Sequence, residues 1–126
     1  MIKILIVDDD QMNCDLLQNV FTRHGYQVIS TTSGLEGLIL FGRHVPRVTL
    51  LDLRMPEMDG LTATGEIRRR EAASGQQRLT IIALTANAMQ GDREQCLAAG
   101  MDDYLTKPYT QTQLQAVVQK WVDKQG

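Results

Sequence analysis

LLDLRMPEMDG, residues 50–60, joins an apolar run to a turn through a single aspartate, Asp52. The run starts at Val48, and Val48 to Leu51 reads as a short buried strand. Pro56, Asp59 and Gly60 supply the turn chemistry that ends it. A helix is expected from about Leu61 to Ala73. A charge placed where a buried strand leaves the core is either a plain strand end or a group with chemistry to do.

The same strand–turn–helix unit recurs on both sides. Ile4 to Val7 is a four-residue apolar run, β-branched at three positions, and reads as a first strand. Met12, Leu16, Leu17, Val20 and Phe21 follow at helical spacing until Gly25. Val28 to Thr31 is the second strand. Ser33 is placed to cap a helix with Leu35, Leu38 and Ile39 as its apolar face, and Glu36 stands where a capping box needs it. Leu79 to Leu84 is the fourth strand, and a polar helix runs from about Gln90 to Ala99. Tyr104 and Leu105 form a short fifth strand. Leu114, Val117, Val118, Trp121 and Val122 mark the last helix. No segment repeats and no linker divides the chain.

Five alternating strand–helix units imply an α/β fold with a parallel sheet and helices on both faces, because right-handed crossovers carry the chain back over the sheet. Such sheets place their sites beyond the carboxyl ends of the strands. Asp8 and Asp9 follow the first strand, Asp52 the third, Thr85 the fourth and Lys107 the fifth. Three carboxylates brought together repel, and magnesium, an oxygen-seeking divalent cation, is their natural neutraliser. A carboxylate is also a nucleophile toward phosphorus. An ammonium group and a hydroxyl beside it would neutralise and hold the phosphoryl oxygens. Each residue taken singly has a plainer role, as a helix-start acid, a loop threonine or a surface lysine. Asp10 is assigned that plainer role, a helix start. Joint placement in order is what favours the phosphoryl chemistry.

The 126 residues suit one domain, and 43% hydrophobic content supplies a core. A formal net charge of -2 speaks against a nucleic-acid surface. Arg68, Arg69 and Arg70 are expected on a solvated helix face. Cys14 and Cys96 are too few for a disulfide framework and are expected as free thiols. The amino-terminal apolar run is too short for a signal peptide or a membrane span, so membrane insertion is not expected and a cytoplasmic location is.

The motifs ILIVDDD (4–10), LLDLRMPEMDG (50–60), IIALTANA (81–88) and GMDDYLTKPY (100–109) resemble those of receiver domains in the two-component response-regulator family. They keep that family's order from end to end. The resemblance implies a flavodoxin-like (βα)5 fold with strand order 2-1-3-4-5. It implies that Asp52 is the phosphoacceptor and that Asp8, Asp9, Asp52 and the Arg54 backbone carbonyl hold Mg2+, with Asp9 the more direct of the acidic pair and Mn2+ a substitute. Thr85 and Lys107 would contact the phosphoryl group, Tyr104 would turn inward with Thr85, and the Lys107–Pro108 bond would be cis. The domain would catalyse its own phosphorylation and dephosphorylation without being a conventional enzyme. Its partners would be a sensor histidine kinase or a histidine phosphotransfer protein upstream and an unnamed target downstream. ALTANAM and CLAAGMDDYLTKP are similar to receivers of hybrid kinases and phosphorelays. No output domain is expected within residues 1–126, whether the chain stands alone or is cut from a longer one.

Two rivals use the same residues. A magnesium-dependent phosphatase of the haloacid dehalogenase type would employ Asp8 and Asp10, Thr85, Lys107 and the pair Asp102–Asp103. In that family the lysine precedes the late acids, and Asp52 would go unused. A pseudo-receiver would keep the fold for docking alone, but such domains lose one of the acids, the threonine or the lysine.

Overall fold

The computed structural model describes residues 1–55, 58–86 and 90–125. Among the described residues five strands and five helices alternate: β1 (Lys3–Val7), α1 (Gln11–Arg23), β2 (Gln27–Thr31), α2 (Gly34–His44), β3 (Val48–Asp52), α3 (Gly60–Ser74), β4 (Thr80–Thr85), α4 (Gln90–Ala99), β5 (Asp103–Thr106) and α5 (Gln111–Gln125). All pairings are parallel, in the order β2-β1-β3-β4-β5. Pro56 and Glu57 of the turn, and Asn87, Ala88 and Met89 of the TANAM motif, lie outside the described residues.

The three central strands are buried on both faces, which is why they read as apolar runs rather than alternating ones. Strand alternation then divides their side chains. Ile4, Ile6, Val48, Leu50, Ile82 and Leu84 meet α1 and α5 through Leu17, Phe21, Leu114 and Val118. Leu5, Val7, Leu51, Ile81 and Ala83 meet α2, α3 and α4 through Leu38, Phe41, Ile67 and Cys96. None of the described helices is long and apolar enough to cross a membrane.

Helix ends follow local chemistry. Asp10 caps α1 by accepting from Met12 N–H at 3.0 Å, the helix-start role assigned to it. Ser33 caps α2 by accepting from Glu36 N–H at 3.2 Å. The capping box is one-sided, because the Ser33 N–H donates to Thr31 Oγ1 instead of to Glu36. Gly60 opens α3 where no side chain fits: a Cβ there would stand 2.7 Å from the Asp52 carbonyl oxygen.

The faces of α1 and α2 match expectation at Leu17, Val20, Phe21 and Leu38 and depart from it at four positions. Met12 and Leu16 are 81% and 51% exposed, and Leu35 and Ile39 are 50% and 58% exposed. The buried positions of α1 are Cys14, Leu17, Val20 and Phe21, and those of α2 are Gly34, Gly37, Leu38 and Phe41. A Cβ on Gly37 would meet Val7 Cγ2 at 2.8 Å, so α2 lies too close to the sheet for a larger residue. Arg68 also departs from the solvated-face expectation. Its side chain is 13% exposed and donates to Glu71, Asp102 and two backbone carbonyls. Both cysteines are buried free thiols, as expected.

Thr49, on β3, is 1% exposed, and its hydroxyl has no hydrogen-bond partner among the described residues. A buried hydroxyl without a partner costs free energy. Thr49→Val, which keeps the β-branch, is expected to stabilise the fold by about 1–2 kcal/mol. The measurement is the urea midpoint at unchanged m-value. A lower midpoint in the variant would mean that the hydroxyl is satisfied.

Candidate functional site

Parallel register carries four strand ends to one edge. Val7 pairs with Leu51, Asp52 with Leu84, and Thr85 with Thr106. Asp8, Asp9, Asp52, Thr85 and Lys107 therefore emerge side by side. Carboxylate oxygens of Asp8, Asp9 and Asp52 lie within 4.8 Å of one another. Asp8 is fully buried and Asp52 5% exposed, whereas Asp9 is open to solvent.

Each buried carboxylate is held by donors. Asp8 Oδ1 accepts from Asp10 N–H at 3.0 Å, and Oδ2 accepts from the Asn13 side-chain amide. Asp52 Oδ1 accepts from Arg54 N–H at 3.0 Å. Lys107 Nζ lies 3.4 Å from Asp52 Oδ2 and 3.6 Å from Asp8 Oδ2. The Lys107 N–H donates to the Thr85 carbonyl at 2.6 Å, and the Lys107–Pro108 bond is cis, as the resemblance implied. Thr85 is buried at the rim of a cavity of about 530 Å3 whose walls include Asp9, Arg54, Asp59 and Gln95. Tyr104 stands apart from this edge, half-buried on β5, with the Arg93 guanidinium 5.8 Å from its ring centroid.

Burial and charge set the protonation. Burial opposes ionisation of Asp8, but donation from Asp10 and Asn13 and the charge of Lys107 outweigh it and hold the carboxyl below its ordinary range. At Asp52 burial prevails; with the neighbouring Asp8 charge it outweighs Arg54 N–H and Lys107 and pushes the carboxyl up to about 6. Burial also acts on Lys107, yet Asp52 and Asp8 leave its ammonium more firmly protonated than usual.

An all-oxygen donor set of three acids, of which Asp9 lines an open cavity, suits magnesium, which takes carboxylates and keeps several waters. The late acidic pair that the phosphatase rival needs is elsewhere. Asp102 pairs with Arg68 and Arg78 and accepts from Ile81 N–H, and Asp103 accepts from Trp121 Nε1 at 2.8 Å. Both precede β5 or begin it, at the opposite edge of the sheet. Asn13 and Tyr109 join the acids without a signal in the sequence. Asn13 sits in the first turn of α1, which starts over the β1 end; Tyr109 arrives from 96 residues away, and no linear pattern pairs them.

Residues 4–119 match the family described as "Response regulator receiver domain". This chain belongs to that family. Receiver domains of this kind serve two-component and phosphorelay systems, and the present one is similar to several from hybrid kinases. Over 119 residues it is 40% identical to the sensor protein GacS of Pseudomonas syringae pv. syringae, covering 94% of this chain and 13% of that protein. The chain thus spans about an eighth of that relative. Its structure matches the receiver domain of the sensor histidine kinase PA1611 from Pseudomonas aeruginosa PAO1 at TM-score 0.85 and 41% identity, covering 96% and 97% of the two chains. A magnesium ion is coordinated in the active-site cleft of that structure. It also matches the Saccharomyces cerevisiae Ssk1 receiver, solved with the histidine phosphotransfer protein Ypd1, at TM-score 0.91 and 29% identity, covering 95% and 88%.

Proposed function

We propose that this receiver domain takes a phosphoryl group onto Asp52 from a phosphohistidine of a sensor histidine kinase or a histidine phosphotransfer protein, in the cytoplasm. The observation that carries this reading is the ring of Asp8, Asp9, Asp52 and Lys107: a buried, basic carboxylate with an ammonium 3.4 Å away and two further acids beside it. The magnesium-bearing PA1611 receiver and the Ssk1 receiver in complex with Ypd1 support it. Asp8, Asp9, Asp52 and the Arg54 carbonyl would hold Mg2+, or Mn2+ in its place. That cation neutralises charge on the phosphoryl oxygens.

An Asp52 carboxylate oxygen attacks phosphorus while the P–N bond breaks. The bond's electron pair leaves on the imidazole nitrogen, which then takes a proton. The product is an acyl phosphate, and attack by water on phosphorus returns the free carboxylate and inorganic phosphate. Lys107 neutralises a phosphoryl oxygen, and Thr85 donates a hydrogen bond to another. Incubation with acetyl phosphate and magnesium is expected to add one phosphoryl group at Asp52, removable by hydroxylamine. A label on Asp8 would favour the phosphatase rival, and no label under any magnesium concentration would leave a docking-only domain.

Phosphorylation adds nearly two negative charges at Asp52. Thr85 reaches the new oxygens by moving inward, and Tyr104, paired with Ala83 on the neighbouring strand, turns into the space released. The surface of α4, β5 and α5 changes with it, which is where the downstream partner would read the state. Thr85→Ala is expected to accept phosphate yet lose most of the amide shift changes of residues 100–109 that a beryllofluoride mimic causes in the parent. Shifts of equal size in the variant would remove Thr85 from the path.

A further inference from the structure

Asp8 has no freedom left in this fold. Asp10 N–H takes one oxygen, and the Asn13 amide takes the other. Asn13 is itself held: the Tyr109 hydroxyl lies 2.9 Å from its Nδ2 and 3.2 Å from its Oδ1, so it accepts from the one or donates to the other. Tyr109 stands two residues beyond Lys107, the cation that faces both Asp8 and Asp52. Asn13 and Tyr109 are both half-buried, and together they line a recess with Asp10, Lys107 and Pro108 that is separate from the 530 Å3 cavity.

We infer that Asn13 is a positioning residue of the cation site: its amide orients the Asp8 carboxylate, and the Tyr109 hydroxyl in turn orients the amide. This inference rests on the reading of Asp8, Asp9 and Asp52 as a magnesium site. A carboxylate offers about four lone-pair directions, so a donor on each oxygen leaves one direction per oxygen for a cation or one of its waters. Fixing the carboxylate beforehand removes the entropy cost of ordering it when the cation arrives. Losing such a supporting hydrogen bond typically costs about 10–100-fold in metal affinity. The same contact ties the start of α1 to the segment that carries Lys107, so the acid and the cation of the ring are set against each other by one side-chain bridge.

The test is calorimetric titration of magnesium chloride into the parent, Asn13→Ala, Tyr109→Phe and the double variant, with metal-free thermal unfolding of each. Asn13→Ala is expected to raise the magnesium Kd about tenfold. Tyr109→Phe, which keeps the ring and loses only the hydroxyl, raises it less. The double variant is no worse than Asn13→Ala alone, because Tyr109 acts through the amide. A purely structural bridge would lower the unfolding temperature and leave Kd unchanged, which overturns the inference while the magnesium reading stands. A lower Kd in Asn13→Ala would show the amide competing with the cation, and additive effects would show Tyr109 acting on its own; either overturns it too. A parent that binds no magnesium overturns the site reading and this inference with it.

Discussion

Asp52→Asn is expected to lose phosphoryl labelling altogether and, in the metal-free state, to unfold at higher denaturant than the parent. The first loss follows from removing the nucleophile. The second follows from the sign of the Asp52 shift. Its carboxyl is pushed up to about 6 in the fold by burial and by Asp8. The folded state therefore holds the Asp52 proton more tightly than the unfolded chain, whose aspartates titrate near about 3.9. The ionised form opposes folding: the penalty is absent below the unfolded value, grows between about 4 and 6, and is complete above that. A shift of about two units corresponds to roughly 2–3 kcal/mol, which the neutral amide escapes. Urea unfolding in the presence of a chelator at two pH values checks it. The variant should gain near neutrality and lose the advantage near the unfolded-state pKa. An equal gain at both, or a label that persists on the variant, would contradict the assignment of Asp52.

Arg68→Met is expected to cost about 3–5 kcal/mol, the loss typical of removing one partner from a buried ion pair. That is a large share of the roughly 5–15 kcal/mol by which such domains are stable. Arg68 bonds Glu71 Oε1 at 2.7 Å, Asp102 Oδ2 at 2.8 Å, and the Leu79 and Gly100 carbonyls at 2.7 and 2.8 Å. Glu71 is 5% exposed and its other oxygen accepts from Leu79 N–H, so it cannot turn to water when the guanidinium goes. One side chain thereby joins α3 to the start of β4 and to the α4–β5 connection. Gly100, at φ +108, keeps that connection close: a Cβ there would meet Arg68 Cγ at 2.9 Å. Adding Glu71→Met should restore part of the loss, since an apolar pair leaves no unpaired charge on α3. Asp102 keeps Arg78. Chemical denaturation of the two variants measures both effects, and a single variant as stable as the parent would reduce this network to a surface ion pair.

The element pattern is legible in the amino-acid order because parallel strands covered on both faces must be apolar along their length, and glycine, proline and capping residues punctuate them. Five strand–helix units, the layering, and the emergence of Asp8, Asp9, Asp52, Thr85 and Lys107 at one edge all follow from that. The strand order follows from the family resemblance, since five parallel strands can be ordered in several right-handed ways.

Helical faces are a different matter. A 3.6-residue period marks a stripe but not its rotation, and residue size misleads where helix and sheet approach closely. Gly37 faces the sheet, and Gly34 faces Met55 and Met58 of the connection after β3, because little room remains there, while Met12, Leu16, Leu35 and Ile39 stay outside. Arg68 reads as one of three equivalent arginines until the α4–β5 connection brings Asp102 and Gly100 over it. Asn13 and Tyr109 meet only when α1 and the segment after β5 are laid over neighbouring strand ends. Which strand ends carry charge is thus written along the chain, because backbone period and turn chemistry act over a few residues. Which polar groups support that charge is settled by packing, because hydrogen-bond partners are chosen by distance in space and not by separation in sequence.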